Sequence, residues 1–359
     1  RARKVADIDG TGTLTEYVYN SNNQVAKTIH YANRPNTTQL ASLVDAGGNP
    51  TNVFLVFVRP TLDNTNDRVT YYLYDSANRL VLQIDPTDTS ATQGYATKTS
   101  YDGANRVIET VRYKNPISTT AITLDTLASN ITVTEDSTTD RHVRSFYEND
   151  GRLQSTLDAE GYLTENQYDS AGELTHTIRY AKASTSTTRL TDSFSATKTN
   201  IINQSSATQG VDPNDQHSYL FYNAKGQVTG LLDAENYLTE YQYDLNGNRT
   251  QETRYNTKAI AYTGTQTLTQ LRPAANSNDH VTLTAYNGAN QVTSVTTNPQ
   301  GIVTQYSYDS VGNLTQATSA ANTTDVRTTR ARYDVRGNLT GELTGEGSVA
   351  LDALINPIQ

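Results

Sequence analysis

The chain has 359 residues, only 35% of them hydrophobic, with a formal net charge of −9, five histidines and no cysteine, methionine or tryptophan. The acidic balance and the dispersal of Lys and Arg argue against nucleic acid and anionic membrane as partners, since both need clustered basic residues to neutralise phosphate. No apolar run reaches the ~18 residues of a membrane span, no apolar stretch follows the basic Arg1-Ala2-Arg3-Lys4 as a signal peptide requires, and the fold cannot depend on disulfides.

The chain opens on a hairpin predicted around Tyr19-Asn20-x-x-Asn23, and the pattern then returns along its length. The copies are Tyr74-Asp75-x-x-Asn78, Tyr101-Asp102-x-x-Asn105, Tyr147-Glu148-x-x-Gly151, Tyr168-Asp169-x-x-Gly172 and Tyr222-Asn223-x-x-Gly226. They continue as Tyr243-Asp244-x-x-Gly247, Tyr286-Asn287-x-x-Asn290, Tyr308-Asp309-x-x-Gly312 and Tyr333-Asp334-x-x-Gly337. An Asp or Asn opening a four-residue turn accepts hydrogen bonds from the amides that follow it. A type I turn closing into a G1 bulge then needs positive φ, which Gly tolerates freely and Asn next best. An apolar residue re-enters the strand two places later, at Val25, Leu80, Val107, Leu153, Leu174, Val228, Val292, Leu314 and Leu339, with Arg249 the exception. Each copy is therefore a predicted β-hairpin tip, and the expected fold is all-β, an array of antiparallel hairpins.

The hairpins come in two types. Five of the tyrosines lie seven residues after a glycine or asparagine, as in Gly12 to Tyr19, Gly94 to Tyr101, Gly161 to Tyr168, Asn236 to Tyr243 and Gly301 to Tyr308. Four of these have a second tyrosine twelve residues further on, at Tyr31, Tyr113, Tyr180 and Tyr255; Ala320 breaks the series. The other five follow a polar start such as Asp67-Arg68, Asp140-Arg141 or Asp279-His280. Between the types lie insertions at about 32–66, 114–139, 181–215 and 256–278. Short helical patterns mark them: Leu40, Leu43 and Val44 before Gly47-Gly48; Leu124, Leu127, Ala128 and Ile131; Leu190, Phe194 and Ile201; Leu268 and Leu271 before Pro273. They read as decoration laid between hairpin pairs. Within the first, the run Val53-Phe54-Leu55-Val56-Phe57-Val58 has the length of one buried strand.

With 24 tyrosines against 5 phenylalanines, tyrosine must supply much of the apolar bulk while its hydroxyl stays wet or finds a backbone partner. That favours thin sheet walls, either closed around a cavity or running as a ribbon. The chain begins at Arg1 and ends at Leu351 to Gln359 inside the pattern, so it is expected to be one array, 1–359, internal to a longer chain.

Catalytic chemistry finds little support. His30, His142, His176, His217 and His280 never fall at the spacing of a metal pair, and the turn aspartates supply one oxygen group per loop where calcium needs several. Asp158 with Glu160, and Asp233 with Glu235, stand two apart on what reads as extended chain, the one pair geometry open to glycosidase-like chemistry. Their repetition along the array argues against it. No enzyme activity, metal or cofactor is expected, and the residues singled out are the structural turn residues of the ten tips.

The motif Gly-x6-Tyr-Asp-x-x-Gly-x-Leu, nearly complete in Gly161 to Leu174 and Gly301 to Leu314, resembles the YD repeat of the rearrangement-hotspot (Rhs) proteins. Their relatives include the B and C components of bacterial insecticidal toxin complexes and the extracellular part of animal teneurins. The resemblance covers essentially the whole chain, and the Arg-Tyr strand ends and helical insertions are similar to very long, Thr-rich bacterial members. It implies a sheet strip wound spirally as part of a hollow shell, secreted or at the bacterial cell surface, enclosing a C-terminal polypeptide. The family's closing Asp-Pro-rich motif and variable toxin domain are not in this sequence. Two function classes follow: a wall segment whose partners are the rest of its own chain and an enclosed cargo, or an extended adhesin or stalk presenting tyrosine-rich faces to cell-surface glycans or proteins.

Overall fold

The structure is a computed structural model and describes residues 3–47, 51, 55–63, 65–87, 92–204, 212–345 and 347. Gly48, Val53, Phe54 and the terminal Leu351 to Gln359 discussed above lie outside them. The fold is all-β with a few short helices.

One compact unit comprises Arg1–Thr164 and Lys182–Asp212. Its strands are β1 (Ala6–Ile8), β2 (Leu14–Tyr19), β3 (Val25–His30), β4 (Arg68–Tyr74), β5 (Leu80–Pro86), β6 (Gln93–Tyr101), β7 (Val107–Arg112), β8 (Ile117–Ser118), β9 (Arg141–Tyr147) and β10 (Leu153–Leu157). Each is antiparallel to the next, except that the two-residue β8 turns back onto the start of β6, so that β7 pairs directly with β9. β11 (Tyr162–Tyr168) carries the division between the units.

The other unit comprises Glu165–Ala181 and Pro213–Gln359. It runs through β12 (Leu174–Ala183), β13 (Gln216–Tyr222), β14 (Val228–Leu232), β15 (Leu238–Tyr243), β16 (Arg249–Arg254), β17 (His280–Tyr286), β18 (Val292–Asn298), β19 (Ile302–Tyr308), β20 (Leu314–Ser319), β21 (Arg327–Tyr333) and β22 (Leu339–Leu343). Consecutive strands pair antiparallel throughout.

Register slips by one residue beside the hairpin tyrosines. Tyr74 faces Leu80 while Leu73 faces Leu82, which leaves Val81 as the extra residue of a bulge. Thr229, Thr250, Thr315 and Thr340 fill the same position in later hairpins, and their hydroxyls donate across the pair to the carbonyls of Phe221, Gln242, Ser307 and Arg332.

The insertions do more than decorate the sheet. Leu14, Ile29 and Tyr31 of the sheet side pack with Val58, Leu43 and Leu55 of the first insertion. Leu73, Leu82, Ile84, Ala96 and Val111 are covered by Ala128, Ile122, Ile131 and Val133 of the second. Leu232 and Leu238 are covered by Leu268, Leu271 and Tyr262 of the fourth. A single sheet layer has no core until something covers one face, and here the insertions cover it. All five residues of β22 are exposed.

The helices are α1 (Thr37–Ala41), α2 (Leu55–Val58), α3 (Phe194–Ile202) and α4 (Leu268–Leu271), with a 3₁₀ turn at Ala128–Asn130. Asn36 with Gln39 and Thr267 with Gln270 form capping boxes for α1 and α4, and Ser193 caps α3. The expectation of a buried strand in the Val53–Val58 run is corrected: Leu55–Val58 is a helical turn. A helical turn meets its own backbone needs, with the Arg59 amide donating to the Leu55 carbonyl at 2.9 Å. Of the helical patterns, Leu43, Val44, Leu124, Leu127, Ile131 and Leu190 fall outside the helices, and of the second pattern only Ala128 lies in its 3₁₀ turn.

Candidate functional site

The ten tips share one geometry. The amide of the turn's first residue bonds the carbonyl four places on, and the amide of its fourth residue bonds back to the first, as in Asp75 to Arg79 and Asn78 to Asp75, both 3.0 Å. The fourth residue has positive φ in all ten, from +60° at Asn290 to +98° at Gly312, with Asn78 and Asn105 at +63°, Gly172 at +88°, Gly247 at +90° and Gly337 at +81°. A β-branched residue there would be strained. The opening carboxylate caps the loop. One oxygen of Asp102 accepts the amides of Ala104 (2.8 Å) and Arg106 (2.9 Å), and Asp75, Asp169, Asp309 and Asp334 do the same. The Asn248 side chain first, then backbone amides, hold the Asp244 carboxyl below the usual carboxylate range; Asn313 and Asn338 do the same for Asp309 and Asp334.

The tyrosine that precedes each turn reaches sideways. Tyr74 donates its hydroxyl to the carbonyl of Val25 (2.9 Å), Tyr101 to Leu80 (2.8 Å), Tyr147 to Val107 (2.9 Å) and Tyr222 to Leu174 (2.8 Å). Tyr243 donates to Val228 (2.8 Å), Tyr286 to Arg249 (3.1 Å), Tyr308 to Val292 (2.9 Å) and Tyr333 to Leu314 (3.0 Å). The acceptor is always the residue six places after the previous hairpin's tyrosine. Only its backbone takes part, which is why Arg249 can stand where the other copies have an aliphatic residue. Phenylalanine would fill the same space and leave the bulge carbonyl unpaired.

A third contact runs through the fifth residue after each tyrosine. Arg79 and Arg106 donate Nε to the free oxygens of Asp75 (2.8 Å) and Asp102 (2.6 Å), and Asn248, Asn313 and Asn338 bond Asp244, Asp309 and Asp334 likewise. The same side chains reach the next tip. Gln24 donates to the Asn78 carbonyl (2.9 Å), Arg79 to Asn105 Oδ1 (2.9 Å) and Gln291 to the Gly312 carbonyl (3.1 Å). The Arg79 and Arg106 guanidinium carbons lie 4.8 and 4.5 Å from the ring centroids of Tyr101 and Tyr147. The sequence signal was the run of Arg, Gln and Asn at this place, broken only by Glu173.

The insertions are fastened by two devices that the sequence reading did not find. Asp67, Asp140, Asp215 and Asp279 each accept, at 2.8 to 2.9 Å, the amide of the residue where the insertion leaves the sheet: Ala32, Lys114, Ala181 and Asn256. The second oxygen of Asp67, Asp140 and Asp279 takes another amide near the insertion's return, from Asp63, Asp136 and Asn276. Deeper in, the buried Glu16 accepts from Tyr31 (2.6 Å) and from Nε of Arg59 (2.8 Å), and Glu240 accepts from Tyr255 (2.5 Å) and Arg272 (2.6 Å). Leu14-Thr15-Glu16 and Leu238-Thr239-Glu240, with Val58-Arg59-Pro60 and Leu271-Arg272-Pro273, are the signals that could have revealed it. Tyr180 bonds Glu165 (2.6 Å) in a third copy, whereas the second has Lys98 in the strand and Tyr113 meets Glu135 of the insertion at 3.3 Å.

The sequence profile described as the RHS Repeat matches residues 222–256 and 286–324, two stretches that each begin at a tip tyrosine and take in the strands around it. These two stretches carry the RHS Repeat. Among solved structures it is similar to the crystal structure of TcdB2-TccC3-TEV, at 14% identity and TM-score 0.46, over 92% of this chain and 14% of that one. It is also similar to TcdB2-TccC3, at 15% identity and TM-score 0.42, over 92% of this chain and 16% of that one. A porin-like protein from Bacteroides uniformis matches at 11% identity and TM-score 0.20, over 77% of this chain and 87% of that one. The chain thus spans about a seventh of the length of the first of these. No curated protein sequence matches it.

The glycine-led positions divide. Gly12, Gly161, Asn236 and Gly301 have positive φ, whereas Gly94 lies inside β6, where a Cβ would stand 2.5 Å from Ile84 Cγ2 and 2.7 Å from the Asp85 carbonyl. The reading of Asp158 and Glu160 as a pair on extended chain is corrected. Asp158 opens a tight turn closed by Gly161, and its side chain accepts the Glu160 (3.0 Å) and Tyr162 (2.8 Å) amides, while Glu160 pairs with Arg141. Asp233 caps the Asn236 turn in the same way. Two histidines 41 residues apart are brought together by β12 and β13: His176 Nε2 and His217 Nδ1 are 3.0 Å apart. The His176 ring stacks on Tyr219 with centroids 4.2 Å apart. Burial first, then His217, push His176 down to about 4. Among the described residues no group of three or more His, Asp or Glu is arranged to hold a metal ion.

Proposed function

We propose that this array is wall material of an Rhs-type shell, a structural segment without catalytic activity. It is one stretch, 1–359 with its four insertions, of a longer secreted or surface-displayed bacterial chain. The enclosed partner is a C-terminal polypeptide held apart from the cell that made it. The observation that carries this reading is the hydroxyl-to-carbonyl ladder of the tip tyrosines. Each rung joins one hairpin to its predecessor in the same register, so the sheet extends sideways by adding hairpins, which is what a continuous wall requires. The polar tips add a second row of bonds along the same edge.

Electron microscopy of the native full-length protein that contains this array tests the proposal. A closed hollow particle with density inside is the expected result. An open rod or fibre would overturn it and return the array to a stalk.

A further inference from the structure

We propose that the tip at Tyr168 and the groove beside it form a binding site for a guanidinium group, the arginine side chain of a polypeptide. The repeats supply their own reference. In the tips at Tyr74 and Tyr101, the fifth residue is an arginine whose guanidinium bonds the turn aspartate and lies over the next hairpin's tyrosine. The protein thus already places a guanidinium between a turn carboxylate and a tyrosine ring in two of its copies.

At Tyr168 that arginine is replaced by Glu173. Asp169 still caps the loop with one oxygen, taking the Ala171 and Glu173 amides at 2.9 Å. In the sister tips the other oxygen receives Arg or Asn, whereas here the fifth residue is itself an acid, and both acids line one groove. Glu173 occupies the place of its sister residues: a Cβ on Gly226, the αL residue of the next tip, would stand 2.7 Å from Glu173 Oε1, as one on Gly151 would stand 3.3 Å from Arg106 Nη1. A carboxylate there cannot donate to the neighbouring tip as Gln24 and Gln291 do. Among the described residues no Lys or Arg pairs with either acid. Burial first, then Glu173 and Asp169, raise the Tyr222 hydroxyl above its ordinary value, so both charges are felt at that ring.

The same residues line a groove of about 650 Å³ with His176, Tyr219, Tyr222 and Tyr262. That volume suits a side chain and its neighbours. His176 is neutral near pH 7 and puts no competing cation there. A planar guanidinium matches two carboxylates and stacked aromatic faces, where an ammonium offers only a point charge.

Saturation-transfer NMR on the 359-residue chain with N-acetyl-arginine amide as the probe tests this, against the lysine and citrulline analogues. The arginine probe is expected to bind at least about tenfold more tightly than either, the factor worth about 1.4 kcal/mol. Glu173→Arg restores the sister arrangement and is expected to abolish binding without lowering the melting temperature. Glu173→Gln is expected to weaken binding severalfold. Citrulline or lysine binding as well as arginine overturns the guanidinium assignment. Full binding by Glu173→Arg, or by Glu173→Gln should the arginine variant fail to fold, overturns the site.

Discussion

Replacing Tyr101 by phenylalanine removes one hydroxyl and leaves the ring. In the folded chain that hydroxyl donates to the Leu80 carbonyl at 2.8 Å, beside the bulge where the strand ladder slips register. The ring is half-buried, so water reaches part of the rim, and the loss lies near the ordinary net worth of a hydrogen bond, about 1 kcal/mol. The first unit spans 164 plus 31 residues, and for a unit of that size about 1 kcal/mol moves the melting temperature by roughly 2–4 °C. Tyr95→Phe is the matched control, on the same strand with its ring 36% exposed, and is expected to stay within about 0.5 kcal/mol. Urea unfolding of both variants followed by tyrosine fluorescence and circular dichroism gives the comparison. Equal effects at the two positions would refute the ladder as a source of stability.

Gly247→Val forces a β-branched residue to φ +90° and is expected to cost roughly 1–2 kcal/mol, against under about 0.5 for Ser170→Val on an exposed turn position; indistinguishable melting curves would discard the strain argument. Arg272→Ala leaves Glu240, 7% exposed, with Tyr255 as its remaining side-chain partner and is expected to cost about 2 kcal/mol. Arg254→Ala, at an exposed strand end, is the control, and a loss there as large as at Arg272 would remove the clamp from the account. His176 titrates at about 4 in the fold and near 6.5 when unfolded, so between those values the unfolded chain binds a proton that the folded chain refuses. Stability is therefore expected to fall as pH falls through that window, and His176→Gln should flatten the slope of melting temperature against pH; parallel slopes would show that the histidine pair does not report its burial.

What could be read from the sequence follows from where each constraint resides. Positive φ at Asn78 or Gly172 restricts the side chain at that very residue, and an aspartate capping its own loop acts within four residues, so the tips were legible as spacing. The acceptors of the tyrosine ladder are backbone carbonyls, which any residue provides, and Arg249 shows how little the sequence records of them. The preference for tyrosine over phenylalanine was the trace they left. The Glu16–Arg59 and Glu240–Arg272 contacts join residues 43 and 32 positions apart, and only the recurrence of both triplets in one chain could have linked them. The His176–His217 contact depended on a strand pairing that closes over a whole insertion. Leu55–Val58 misled because a short apolar run fits a buried strand or a buried helical turn equally well, and periodicity over so few residues does not decide between them.

The aspartates that close the base of each insertion separate two properties that most folds tie together. Because Asp67, Asp140, Asp215 and Asp279 hold the departing chain next to the returning chain, the hairpin spacing is set at the two ends of the excursion, while the apolar residues within it cover the sheet. Lengthening a flexible loop between fixed ends costs only about 0.6 kcal/mol per doubling. The exposed parts of the excursions are therefore free to diverge in length while the hairpins keep their spacing, provided that the residues covering the sheet remain. New surface can be written into such a chain one insertion at a time, and a foreign peptide grafted inside one of these loops would inherit a scaffold that does not have to be redesigned to receive it.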